Sequence, residues 1–144
     1  MTTPTSQLSE TPDDVIEIRD YRLADRPLIF AKWLWELRRG NSWFNAIDKK
    51  AYFDHYHEVV EGILNHPDTE TRIACLSEDP DTLIGYAIVS RETLHWVYIK
   101  RPFRGFGLTH RLVPPNITTV THLTVKGKQI LNRYPDIKFN PFAL

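Results

Sequence analysis

The spacing of apolar and polar positions changes several times along the chain, and each change marks an element. Val15-Ile16-Glu17-Ile18-Arg19 is β-branched with a broken alternation and reads as a first strand. From Asp25 the period lengthens, and Leu28, Ile29, Ala31, Leu34, Trp35 and Leu37 cover one broad face. Asp25 suits the cap of this helix, Pro27 its first turn and Gly40 its stop. A second helix follows Asp48, with Tyr52, Phe53, Tyr56, Val59, Val60, Ile63 and Leu64 recurring every three or four residues until Asn65 and Pro67.

The period then shortens. Arg72-Ile73-Ala74-Cys75-Leu76, Leu83-Ile84-Gly85-Tyr86-Ala87-Ile88-Val89 and Leu94-His95-Trp96-Val97-Tyr98-Ile99 are separated by short turn clusters, and predict an antiparallel three-stranded meander. Gly85 marks a bulge or a close backbone contact within it. Leu108 to Val113 has room for about two helical turns before Pro114-Pro115. Ile117 to Leu123 reads as another strand, Lys126 to Tyr134 as a modest helix stopped by Pro135, and Ile137 to Phe142 as a last short strand.

Composition narrows the class. At 144 residues the chain makes one domain, 15–144, preceded by a loose tail over 1–14 that lacks the basic start and apolar core of a signal peptide. Eighteen basic residues balance eighteen acidic ones, which removes the global charge argument for nucleic acid or an anionic membrane as partner. No apolar run approaches the roughly 20 residues that span a bilayer. A single cysteine, Cys75, excludes an intrachain disulfide and a Cys-rich metal site. His55 and His57 lack the i, i+4 spacing of a zinc helix, so no metal is expected. A reducing, cytoplasmic setting fits this usage.

The segment with the most chemistry is Lys100-Arg101-Pro102-Phe103-Arg104-Gly105-Phe106-Gly107-Leu108, which runs from a strand into a helix. Glycines at such a junction serve tight turns and close backbone approach, and N–H groups opening toward a helix make an anion-binding concavity. Arg104 supplies a charge for a diphosphate. The spacing is neither that of a Gly-x-x-x-x-Gly-Lys-Ser/Thr loop nor a completed Gly-x-Gly-x-x-Gly, because position 110 is His.

Taken in order, the elements and the Arg104-Gly105-Phe106-Gly107 loop resemble the Gcn5-related N-acetyltransferase (GNAT) family. The Leu83 to Val89 segment is similar to its apolar strand with a central glycine, and Ile99 to Leu108 to its coenzyme A loop, with Arg104, Gly107 and Thr109 on the family's Arg/Gln-x-x-Gly-x-Gly/Ala pattern. The resemblance covers about Val15 to Phe139. It implies an α+β fold of α/β/α-type layering, in which helices flank a mixed, mostly antiparallel sheet splayed at the coenzyme A site. It also implies acetyl-coenzyme A as co-substrate and an amine-bearing small molecule or protein as acceptor. The backbone from Arg104 through Gly105, Phe106, Gly107 and Leu108 to Thr109 is then expected to bind the pyrophosphate, and main-chain groups of Val97 and Ile99 the pantetheine arm. The short form of the chain and its Phe139-Asn140-Pro141-Phe142 terminus are similar to family members encoded in bacteriophage genomes, which implies a bacterial cytoplasm.

Acetyl transfer needs an uncharged amine, a proton acceptor and a donor to the leaving thiolate. For the acceptor the candidates rank His95, His122, Glu92, each with a purely structural alternative as strand or turn residue. By resemblance Tyr134 is the donor to the thiolate, against the alternative of a helix-end aromatic packed on the sheet. Trp43 and Phe44 either line the substrate pocket or pack beneath the helix pair. Cys75, in a core strand, is not the nucleophile. Two readings of function stand: a coenzyme A-dependent N-acetyltransferase, or a catalytically inactive relative that binds or assembles, as a homodimer or with a phage or host protein.

Overall fold

The computed structural model describes residues 15–144, so the tail expected over 1–14 lies outside the described residues. Six strands form one sheet in sequential order: β1 (Ile16–Asp20), β2 (Thr69–Leu76), β3 (Asp79–Ser90), β4 (Thr93–Ile99), β5 (Thr119–Val120) and β6 (Lys138–Phe139). Neighbours from β1 to β4 are antiparallel, whereas β5 runs parallel to β4 and β6 parallel to β5. Helices α1 (Arg26–Arg39) and α2 (Lys49–Asn65) cover one face. Helix α3 (Leu108–Leu112) and the α4 segment (Val125–Leu131) lie toward the other. This is the mixed α+β architecture that the resemblance implied.

Two apolar layers hold the sheet. On the α1/α2 side Ile29, Trp33, Leu34 and Leu37 meet Tyr52, Val60 and Ile63, and all of them pack on Ile73, Tyr86, Ile88 and Trp96. On the opposite side Ile16, Ala74, Ile84, Ala87, Ile99 and Val120 pack with Leu108 and Leu112. Burial of such aliphatic and aromatic side chains contributes about 1.5–3 kcal/mol each. The two buried phenols are satisfied by helix carbonyls, Tyr52 donating to Leu34 (2.6 Å) and Tyr86 to Ile29 (3.0 Å). Both bonds fix α1, one against α2 and the other against the sheet.

Several expected boundaries shift. Asp25 stands at the start of α1, but its carboxylate does not cap that helix. It accepts instead from Arg22 N–H (2.8 Å) and from both terminal nitrogens of Arg19 (2.9 and 2.8 Å), a pair that is almost fully buried. Asp48 does cap α2, accepting from Ala51 N–H at 3.0 Å. The expected strand over Ile117 to Leu123 shrinks to Thr119–Val120, and the last strand to Lys138–Phe139. The two short helices end at Leu112 and Leu131, ahead of Val113 and Tyr134.

The loss of β5 has a cause in β4. Ile88 stands opposite Trp96 while Val89 stands opposite Leu94, so His95 is an extra residue that bulges β4. Only Thr93 and Leu94 pair with β5. Beyond the bulge the parallel strands part, because a bulge bends its strand and increases the local twist. Gly85 sits at a second irregularity, where Ala74 faces Gly85 and Cys75 faces Leu83. A Cβ at Gly85 would run into the Tyr98 carbonyl oxygen, so glycine is required for β3 and β4 to approach there.

Candidate active site

Where β4 and β5 part, the sheet opens into a cleft of about 670 Å³. Its apolar wall is Leu94, Val97, Val113, Ile117, Val120 and Ile137, and its polar groups come from Thr109, His110, His122, Thr124 and Tyr134. Asn41, just after α1, ties the far wall in place: its side-chain amide donates to Leu123 O (2.9 Å), and Val125 N–H donates to Gly40 O (3.0 Å).

The main chain of β4 faces this opening. Lys100 N–H donates to Ile84 O at 2.8 Å, which makes these two a hydrogen-bonded pair with β3. Pairing alternates along an antiparallel ladder, so the N–H and C=O of Val97 and Ile99 turn away from β3 toward the cleft. The Ile99 carbonyl is taken by Arg104 Nε at 2.8 Å, which anchors the guanidinium over the loop. Val97 is left with main-chain groups free at the cleft wall.

After β4 the chain turns through Arg104 to Gly107 and reaches the cleft at Thr109 and His110. Gly105 and Gly107 have φ of +86° and +75°, a region that side-chain-bearing residues adopt rarely. The loop consequently leaves the backbone N–H groups of Gly105, Phe106, Gly107, Leu108 and Thr109 without an acceptor among the described residues. Five consecutive donors beside Arg104 fit an anion of diphosphate size.

At the narrow end, side chains from β3, β4 and the residues just after β5 meet. Thr121 Oγ1 lies 2.9 Å from His95 Nδ1 and 2.8 Å from His122 Nδ1, and His95 Nε2 lies 3.1 Å from Ser90 Oγ. Burial lowers the pKa of His95 to about 4, with His66 adding to the effect. Burial also lowers that of His122 to about 4, with His95 adding. Both rings are thus neutral at pH 7, the form that accepts a proton. His122 borders the cleft, and Trp33 and Tyr56 pack edge-on around its ring.

The sequence-predicted site residues therefore divide. Val97, Thr109, His122 and Tyr134 border one cleft, and the Arg104 to Leu108 loop leads into it at Thr109. His95 lies behind His122, joined to it through Thr121. Glu92 is an exposed turn residue whose carbonyl accepts from Thr118 and Thr119 N–H (2.8 and 3.3 Å), pinning the start of β5. Phe44 is buried among Tyr52 and Tyr56, and the exposed Trp43 stacks on it; neither borders the cleft. Cys75 is buried in β2, and burial pushes its thiol pKa up. Among the described residues no group of three or more His, Cys, Asp or Glu is placed to hold a metal, and no helix is long and apolar enough to cross a membrane. Sequence reasoning missed Thr121 and Ser90. Their only signal was hydroxyls within β-branched runs, which looks identical to ordinary strand composition.

No protein-family model matches the sequence, and no curated protein does. Solved structures match. The chain is similar to apo YjaB from Escherichia coli, at 20% identity and a TM-score of 0.55, over 84% of this chain and 80% of that one. A possible acetyltransferase from Clostridium difficile 630 aligns at 16% identity and a TM-score of 0.45, over 88% of this chain and 79% of that one. A GNAT family acetyltransferase from Staphylococcus aureus aligns at 14% identity and a TM-score of 0.41, over 88% and 86% respectively. This chain shares its fold with apo YjaB, and its mixed sheet flanked by helices is the α+β architecture that its element order led us to expect. What the site does with that fold rests on its own chemistry.

Proposed function

We propose that this protein is an N-acetyltransferase that moves an acetyl group from acetyl-coenzyme A to an amine by direct attack. The observation that carries this reading is the cleft itself. Its wall carries a neutral histidine, a phenol and Thr109, the last of five consecutive free amides.

The residues present suit the cofactor. The N–H groups of Gly105 to Thr109 and the Arg104 guanidinium take the diphosphate. The free main-chain groups of Val97 pair with the amides of the pantetheine arm, as a further strand would, and bring the thioester toward the bulge at His95. Coenzyme A supplies the activated acyl carbon. The chain supplies position and proton transfer, which is where rate enhancement by direct transfer arises.

In that arrangement the amine nitrogen attacks the thioester carbon, so a C–N bond forms as the C–S bond breaks. His122 takes the proton that the nitrogen sheds. Tyr134 gives its phenolic proton to the departing sulfur. The acceptor is an amine-bearing small molecule or protein side chain.

Thermal unfolding with and without acetyl-coenzyme A tests the reading. Saturation near 100 times the dissociation constant should raise stability by ~2.7 kcal/mol, an easily seen melting shift. Thioester consumption against a panel of amines, peptides and aminoglycosides should follow. An unshifted melting curve sinks the proposal.

A further inference from the structure

The hydrogen-bonded group at the bulge does not stop at His95. Beyond Ser90 Oγ the next atom is Thr69 Oγ1, at 2.9 Å. The series His122, Thr121, His95, Ser90, Thr69 is therefore linked at 2.8, 2.9, 3.1 and 2.9 Å, and it crosses from the segment just after β5 over β4 and β3 to β2. Its two ends open on different spaces. His122 borders the cleft, whereas His95, Ser90 and Thr69 border a second pocket of about 410 Å³ between the end of α2 and the β3–β4 turn. Glu58, His66 and Asp68 line that second pocket and Arg91 borders it, so proton acceptors wait there.

The tautomers are constrained by count. A threonine hydroxyl has one hydrogen, and Thr121 Oγ1 stands between two Nδ1 atoms with no third partner. Satisfying all three atoms requires one ring to carry hydrogen at Nδ1 and the other to be bare there. When His122 carries it, His122 Nε2 is bare, the form that accepts a proton. His95 Nε2 then bears the hydrogen facing Ser90.

We propose that Thr69, Ser90, His95, Thr121 and His122 form a proton relay that carries the proton released in the cleft through the sheet to the pocket beneath α2. This rests on the acetyltransferase reading. The amine proton bonds to His122 Nε2, and His122 Nδ1 passes its own to Thr121 Oγ1. Thr121 passes its hydrogen to His95 Nδ1, and His95 Nε2 passes its own to Ser90 Oγ. Ser90 passes its hydrogen to Thr69, which releases one to water in the second pocket. One proton enters and one leaves, and each member ends neutral. The reverse transfer restores both tautomers and returns a proton to the cleft, where Tyr134 has given one up.

The test combines a spectroscopic and a kinetic measurement on the full chain. Long-range 15N–1H spectra of histidine-labelled protein at pH 7 should show His122 as the Nδ1–H tautomer and His95 as the Nε2–H tautomer. Thr121→Val, which keeps the shape and removes the hydroxyl, should abolish that pairing and lower kcat by about 10²-fold with KM for acetyl-coenzyme A unchanged. Thr121→Ser should restore both. Ser90→Ala, at the less buried end, covers the case in which Thr121→Val does not fold, and should also lower kcat without changing KM. Finding His122 as the Nε2–H tautomer, or Thr121→Val with wild-type kcat, overturns the relay. An acetyl-coenzyme A melting shift beside unchanged kcat in these variants discards the relay alone. No shift in the wild type discards the acetyl-transfer reading and, with it, the relay's task.

Discussion

The Nδ1 atoms of His95 and His122 share one hydroxyl, Thr121 Oγ1, at 2.9 and 2.8 Å. The pair exists because the bulge in β4 puts His95 behind β5 at the point where the two strands part. Both rings are buried, at 3% and 9% exposure, and burial lowers the pKa of each to about 4.

Stability should therefore depend on pH in a definite window. In the unfolded chain each ring binds its proton near pH 6.5, whereas in the folded chain it does so only near 4. Between those values the unfolded state holds more protons, so stability falls as pH falls. Above pH 6.5 the contribution is fully present. One such histidine accounts for roughly 3 kcal/mol over the window. The second adds a comparable amount, since repulsion between the rings helps keep both neutral in the folded chain across the window. Urea unfolding at pH 7, 6, 5 and 4.5 measures it, and a flat profile from 7 to 5 contradicts the burial argument.

Arg19 and Asp25 give a second stability prediction with a different window. The carboxylate receives three hydrogen bonds and is 3% exposed at its side chain. Burial by itself raises its pKa, but the bonds from Arg19 and from Arg22 N–H outweigh burial and hold it below the usual carboxylate range. Its contribution is present above about pH 4 and is lost as pH falls further. Asp25→Asn leaves the Arg19 guanidinium buried without a counter-charge and should cost about 3–5 kcal/mol. Arg19→Met with Asp25→Leu should recover much of that loss, because a well-packed apolar pair replaces a desolvated ionic one. If Asp25→Asn unfolds at the wild-type urea midpoint, the pair is not holding β1 to α1.

The legible parts of the fold were those written in local period. Leu28 to Leu37 and Tyr52 to Leu64 repeat over several turns, and the meander from Thr69 to Ile99 has turn residues at both joints, so α1, α2 and β2 to β4 emerge from the sequence. The turn through Gly105 and Gly107 between β4 and α3 was also legible, because two glycines so close together after a strand mark backbone at positive φ. What did not emerge depends on contacts between distant segments. Ile117 to Leu123 has strand composition, yet its pairing ends at Val120 because of a bulge that lies 25 residues earlier, at His95. Asp25 has the residue type and position of a helix cap, but its carboxylate goes to Arg19 on β1. His95 and His122 were recognisable as candidates one by one. Their linkage through Thr121 was not, because it exists only once β4 and β5 are laid side by side.

For the loop, Gly105→Asp is the informative substitution. At φ +86° a side chain is strained, at a cost of order 1–3 kcal/mol, and the carboxylate adds negative charge where five amides are free for an anion. Gly105→Ala imposes the strain without the charge. We expect Gly105→Asp to lose the acetyl-coenzyme A melting shift altogether and Gly105→Ala to retain part of it. Equal shifts in both variants and the wild type would place the diphosphate elsewhere.

Tyr134 tests the other end of the chemistry. It follows the short helix α4, donates its backbone N–H to Leu131 O at 2.8 Å and is the only phenol among the described residues that borders the cleft. Its side chain is 47% exposed, so removing the hydroxyl should change stability by no more than about 0.5 kcal/mol. Tyr134→Phe keeps the ring against the cleft wall and takes away the proton that the departing sulfur needs. With the acceptor that turns over fastest, kcat should fall by about 10²-fold while the acetyl-coenzyme A melting shift persists. The loss should shrink for thioesters whose thiols have lower pKa, since a thiolate that is stable unprotonated needs no donor. A uniform loss across such a thioester series, or a vanished melting shift, would instead make Tyr134 a packing residue of the cleft wall.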